Sequence, residues 1–166
     1  EASPWIETAL GGDVTNPPVL GGALLRARTG RTWGASLGTG FSFDSTWSFD
    51  DDQVRVRTIP IDLSAFVLLT RGAFELSPEL GITAPVWVSQ SLEFEQPEQV
   101  RLQVGARAAL SARYWFDETW GVAASLSASL FPRPYSFVVL PSEILGETPS
   151  VWLGVSLGLA LRLDPG

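Results

Sequence analysis

Apolar residues alternate with small or polar ones along most of the chain. Between Trp33 and Phe43 the odd positions are Trp33, Ala35, Leu37, Thr39, Phe41 and Phe43, and the even ones are Gly34, Ser36, Gly38, Gly40 and Ser42. Successive side chains of a β-strand point to opposite faces, so this stretch reads as a strand with one apolar face and one face of tiny residues. The same period returns along the chain and predicts eight strands, near residues 4–13, 19–29, 32–43, 54–70, 72–88, 100–114, 119–131 and 151–163. Together they form a single β-barrel domain over residues 1–166. None of the apolar faces carries a charge. Val54 and Val56 sit on the opposite parity to Ile59 and Ile61, which predicts a bulge or an emergence from the sheet near Thr58. Pro60, Pro78 and Pro85 predict local irregularity, because proline cannot donate to a ladder.

Parity alone does not orient the barrel. A soluble, lipocalin-like binding barrel would bury the apolar face and wet the other. That other face holds only Gly, Ser and Ala in strands 33–43 and 120–130, whereas a water-facing surface is normally about 25–35 % charged. Tiny residues suit a narrow lumen in which small side chains make room for large ones. The predicted strands reach 11 residues or more, and a tilted strand crosses a bilayer in about 9–11.

Composition narrows the chemistry. The chain has 166 residues, 45 % hydrophobic and 17 % charged, with net charge −7. Its apolar residues are dispersed, with no run of about 18 that would make a transmembrane helix. Cys, His, Met and Lys are absent, and all 11 basic residues are Arg. Disulfides, thiolate metal sites, Ser-His-Asp triads and Schiff bases are thereby excluded. The negative charge argues against a nucleic-acid partner. No catalytic set, metal site or cofactor site is expected. Glu1-Ala2-Ser3-Pro4 shows neither a basic segment nor an apolar run, so any signal peptide is expected to have been removed.

The inward parity collects Arg26, Arg28, Arg101, Arg107, Arg113 and Arg162, with Glu7, Asp62, Glu75 and Glu79. Buried charges need partners, and the Arg fork matches a carboxylate. If residues 88 and 100 face each other across the third long loop, Glu75 lies opposite Arg113 and Glu79 diagonal to Arg107. A lumen filled by ion pairs is the expectation. Glu75 and Glu79 are too far apart along a strand, about 13 Å, to work as a glycosidase pair.

Connections alternate in length. Thr29-Gly30-Arg31, Thr70-Arg71-Gly72 and the stretch from Trp115 to Thr119 are short; residues 44–53, 89–99 and 131–150 are long, and 14–18 is shorter. Trp33, Phe74, Tyr114, Phe116 and Trp120 flank the short turns on the outward parity, as an interfacial girdle does. The long loops are acidic, with Asp13, Asp44, Asp50, Asp51, Asp52, Glu93, Glu95, Glu98, Glu143 and Glu147 against Arg133. The last long loop is instead stiffened by prolines and greasy, through Tyr135, Phe137, Val138, Val139, Leu140, Ile144 and Leu145. It is a candidate for packing on the barrel mouth or for docking a partner, and Trp47 and Phe49 could join either cluster.

In strand count, alternation and loop asymmetry the chain resembles the small eight-stranded outer-membrane barrels of the OmpA and OmpX type, over residues 4–163. Leu153 to Leu163 looks like that family's C-terminal assembly segment, though Asp164-Pro165-Gly166 follow where the family often ends on an aromatic. The resemblance implies an all-β, eight-stranded antiparallel up-and-down transmembrane β-barrel in the bacterial outer membrane. The expected role is non-enzymatic: an anchor, scaffold or envelope subunit, contacting membrane lipid and other envelope proteins through its external loops. A narrow channel for ions or small polar solutes is the alternative, beside the soluble binding barrel. With the apolar face outward, the chain is expected to need detergent or lipid. A monodisperse monomer in plain buffer, measured by light scattering, would overturn this orientation.

Overall fold

Because the apolar and small faces alternate, each segment gains most by pairing its backbone with neighbours and separating its two faces. The computed structural model describes residues 2–10, 19–49, 52–91, 98–133, 136–139 and 143–163. Its strands are β1 (Ala2–Leu10), β2 (Val19–Gly30), β3 (Trp33–Ser42), β4 (Ser45–Phe49), β5 (Asp52–Ile59), β6 (Ile61–Val67), β7 (Leu69–Arg71), β8 (Phe74–Thr83), β9 (Val86–Ser91), β10 (Gln99–Leu102), β11 (Gly105–Trp115), β12 (Trp120–Leu130), β13 (Ser136–Val139), β14 (Glu143–Glu147) and β15 (Val151–Leu161).

Eight of them close a ring. β1, β2, β3, β6, β8, β11, β12 and β15 pair antiparallel in that order, β8 joins β11 across the seam, and β15 returns to β1. Closure removes the unpaired edges that an open sheet would present. The ring is the predicted up-and-down barrel. Two tight turns use glycine in a conformation other residues avoid, Gly30 at φ 123° and Gly72 at φ 61°. The β11–β12 turn is held otherwise, by Asp117 Oδ1, which accepts the N–H groups of Thr119 and Trp120, each at 2.7 Å.

The expected orientation holds along the wall. Leu37, Leu63, Leu80, Leu126 and Leu157 are exposed, while Ser36, Ser64, Glu79, Ser125 and Ala160 are buried. The apolar face points out, the reverse of a soluble binding barrel.

Beyond the barrel, four strands continue into a second sheet of order β10-β9-β5-β4. Part of what the sequence suggested was loop is therefore strand. Of the two outcomes expected near Thr58, the chain takes the emergence: it passes between the second sheet and the barrel sheet at Ile59–Pro60, without a bulge. Even positions stay inward from Val54 through Thr58 to Asp62, Ser64 and Phe66, interrupted only at Pro60, which belongs to no strand. What changes along this row is its chemistry, from apolar above to polar below. The parity shift lies on the neighbouring strand. Thr39 faces Ile61 but Ser45 faces Val56, so residues 40–44 stand against the shorter stretch 57–60. Ser42 is consequently inward before this irregularity and Trp47 inward after it. Pro85 also interrupts its strand, whereas Pro78 sits within β8 opposite Leu110.

The apolar core occupies one end of the barrel rather than its middle. Leu20, Leu24, Trp47, Val54, Val56, Trp87, Phe131 and Trp152 form one buried cluster. The three indoles lie 5.6–5.9 Å apart between ring centroids. Trp152 Nε1 donates to Pro149 O at 3.0 Å, which gives one indole a polar partner inside this cluster.

The β11–β12 turn yields a pH prediction. The N–H groups of Trp120 and Thr119 hold the Asp117 carboxyl below its ordinary 3.8. A folded value below the unfolded one contributes stability above the unfolded value and loses it as pH falls through the folded value. In an NMR titration Asp117 should titrate below 3.8, and Asp117→Asn should remove this acid-side dependence of turn stability.

Candidate functional site: the charged lumen

The inward face carries its charges on β2, β6, β8 and β11, with Arg162 just past β15. At the level of these charges the inward residues of β12 and β15 are Ser, Gly and Ala. Small residues there leave the width that long arginines need.

Three groupings stack along the axis. Nearest the short turns, Glu75 takes both Arg113 at 3.3 Å and Arg162 at 2.9 Å. The Arg162 guanidinium also lies 4.2 Å from the Trp115 ring centroid, a cation–π contact. Arg113 and Glu75 are direct cross-strand partners, the register anticipated from the sequence.

Glu79 is the hub of the middle grouping. It pairs with Arg28 by a short contact and with Arg26 at 3.9 Å, and it accepts Ser111 Oγ at 2.5 Å and Ser36 Oγ at 3.4 Å. Arg28 also donates to Ser77 Oγ at 2.8 Å and lies over the Phe66 ring at 5.1 Å. Nearest the long loops, Arg107 meets Asp62 at 3.3 Å. Glu79 lies diagonal to Arg107 in the expected register, and Arg107 is among the arginines whose charge acts on it. What the sequence did not indicate is that Glu79 also reaches Arg26 and Arg28 on β2 and that Arg107 also meets Asp62.

Arg101 is a second correction. It faces Trp87 on β10, at the edge of the extension sheet, and is exposed rather than enclosed. Glu7 is held by backbone pairing with Leu20 and Gly154, and its side chain lies outside the described residues. Tyr135 and Leu140 also lie outside them. The backbone of Phe137, Val138, Val139, Ile144 and Leu145 forms the β13–β14 hairpin. Its base is anchored by Gln103, whose Nε2 donates to Arg133 O at 2.9 Å and Thr148 Oγ1 at 3.4 Å.

Trp47 takes the first of its two expected places, packed at the barrel mouth. What the sequence pattern did not disclose is its partners there, Trp87 and Trp152 with Val54 and Val56, for which the apolar even positions of Val54 and Val56 were the available signal. Below the cluster lies a cavity of about 20 Å³, lined by Leu24, Pro60, Asp62, Arg107, Ser125, Ser127, Gly154, Val155 and Ser156.

Outside, Trp33, Phe74, Tyr114, Phe116 and Trp120 are all exposed at the short-turn end. The 10 residues of β3, at the usual rise and tilt, climb about 23 Å. That is close to the apolar band of about 25 Å on outer-membrane barrels.

No family model matches the sequence, and no curated relative does. Solved structures do match in fold. OprG of Pseudomonas aeruginosa superposes with TM-score 0.65 at 10 % identity, over 96 % of this chain and 93 % of its own. Neisserial surface protein A gives 0.62 at 8 %, over 98 % and 96 %. A major outer membrane protein of Thermus thermophilus gives 0.60 at 15 %, over 98 % and 99 %. The chain has the fold of the small bacterial outer-membrane β-barrels.

Removing the hub should be costly. Glu79→Ala removes the carboxylate that Arg26 and Arg28 share, and breaking a buried pair on one side typically costs about 3–5 kcal/mol. Urea unfolding in lipid vesicles should show this loss; a change below about 1 kcal/mol, the range of exposed pairs, would refute the role of hub.

Proposed function

We propose that the protein is a closed, non-enzymatic barrel of the bacterial outer membrane that acts as an anchor or scaffold, with the loop-side extension as its contact surface. The observation that carries this reading is the double obstruction of the lumen. Ion pairs fill its middle and a tryptophan cluster fills one end, so the solvent-facing extension and loops are the parts positioned to meet other molecules. Asp62, Glu75 and Glu79, the described carboxylates at depth, are all engaged by arginines, which supports a structural rather than an acid–base role. One protein of similar fold, with TM-score 0.57 and 12 % identity, is Ail, the attachment invasion locus protein of Yersinia pestis, solved in complex with a heparin analogue. That precedent supports a contact surface on such a barrel.

Planar-bilayer recording tests the closed lumen. The purified protein should show no discrete conductance steps; steady unitary conductance would overturn the reading in favour of a narrow solute path. Replacing residues 136–147 by a short Gly-Ser turn should leave the barrel folded and reduce its crosslinks to other envelope proteins. An unchanged crosslink pattern would remove the hairpin from the contact surface.

A further inference from the structure

The boundary between barrel and extension is a crease. All four strands that cross it are interrupted, at Phe43–Asp44, Pro60, Ala84–Pro85 and Gln103–Val104. The interruptions share one level. Ile59 faces Val86 above and Asp62 faces Thr83 below, in one unbroken register that sets Pro60 opposite Pro85. Neither proline has an N–H to give to a flanking strand. Among the described residues the bonds at this level include Ala84 N to Ile61 O at 2.7 Å, Gln103 N to Pro85 O at 3.1 Å, Phe43 N to Gly21 O at 2.8 Å, and Thr58 N to the Ser42 hydroxyl at 2.7 Å in place of a backbone carbonyl.

Above the crease, Trp47, Val54, Val56 and Trp87 come from the extension sheet. They pack on Leu20, Leu24, Phe131 and Trp152, which belong to the barrel strands and their ends. The apolar cluster is therefore a contact between two bodies joined at the crease. Leu24 and Pro60 also line the cavity beneath, so the cluster is its roof. The floor is polar. Asp62 is buried, and its Oδ1 has no hydrogen-bond partner among the described residues while its Oδ2 meets Arg107. An unpartnered buried carboxylate oxygen beside the Ser125, Ser127 and Ser156 hydroxyls calls for a small hydrogen-bond donor. A cavity of about 20 Å³ has room for one or two waters.

We propose that the β4-β5-β9-β10 sheet is a lid, hinged at the proline crease and latched by the Trp47–Trp87–Trp152 contact, over a polar compartment that holds water-sized ligands. The proposal rests on the closed-lumen reading and adds that the closure at the loop end is a separable, opening element. The prolines weaken the ladder at one level only, so bending concentrates there. The latch is apolar and non-directional, so it can part without stranding buried ion pairs.

Hydrogen exchange on the unaltered protein in lipid tests the hinge. Amides of residues 54–59 and 86–90 should exchange together, at least about tenfold faster than those of β6 and β8 below the crease, as a sub-global opening unit does. Exchange at the barrel's rate would overturn the lid. The absence of cysteine allows a second test. A Ser127→Cys variant should react slowly with a water-soluble thiol reagent, and adding Trp152→Ala or Trp87→Ala should speed the reaction severalfold. The heat-shifted gel band of the folded barrel must persist in the variants for the comparison to count, and the two latch variants lie on opposite sides of the contact. Unchanged labelling in a folded latch variant, or fast labelling with the latch intact, would overturn the proposal. Conductance of the parent protein is a separate outcome: it would sink the closed-lumen reading while exchange still judges the hinge.

Discussion

At the depth of lipid no water is available to a backbone amide, so each N–H and C=O of the wall must find its partner within the wall. The closed antiparallel ring meets that demand, and the rest of the molecule follows from it. A closed ring has two faces and strands have two parities. One parity must suit hydrocarbon and the other must fill a narrow interior. Charge is excluded from the first and concentrated in the second.

Filling the interior sets the next constraint. Eight strands enclose a space about as wide as side chains can occupy. Arginine reaches across it, and the serine, glycine and alanine of β12 and β15 give it room. The deep carboxylates reach arginines on other strands: Glu79 on β2, Asp62 on β11, and Glu75 on β11 and at the end of β15. The network therefore ties distant parts of the ring together in a way that neighbour-to-neighbour backbone bonds do not. Above it the interior changes from ionic to apolar. That change coincides with the level at which the wall stops being a barrel, and it makes the loop end behave as a small water-excluding core.

Legibility in the sequence followed the range of the interactions. Alternation is local, and it disclosed the strands, the outward face and the exposure of the aromatics beside the short turns. Cross-strand partners set by one hairpin register were also within reach, as with Glu75 and Arg113. Partners set by curvature were not. Nothing local says that Glu79 also gathers Arg26 and Arg28 from β2, because that depends on which strands face each other across the lumen. Arg101 misled for a related reason: its parity is inward, but it lies on the edge strand of the extension, so its side chain is exposed even though Trp87 beside it is buried. Val54 and Val56 misled differently. Inward parity was equated with polarity, and the apolar cap breaks that equation.

The sequence by itself determined that this chain is an all-β barrel with a lipid-compatible exterior and a charged interior, because a period of two with uncharged apolar faces has few other stable solutions. The tertiary structure alone decided which charges meet, where the parity shifts, and that the lumen ends under a tryptophan cluster. Those outcomes depend on closure and curvature, which bring together residues from opposite sides of a ring and so leave no trace in the local pattern.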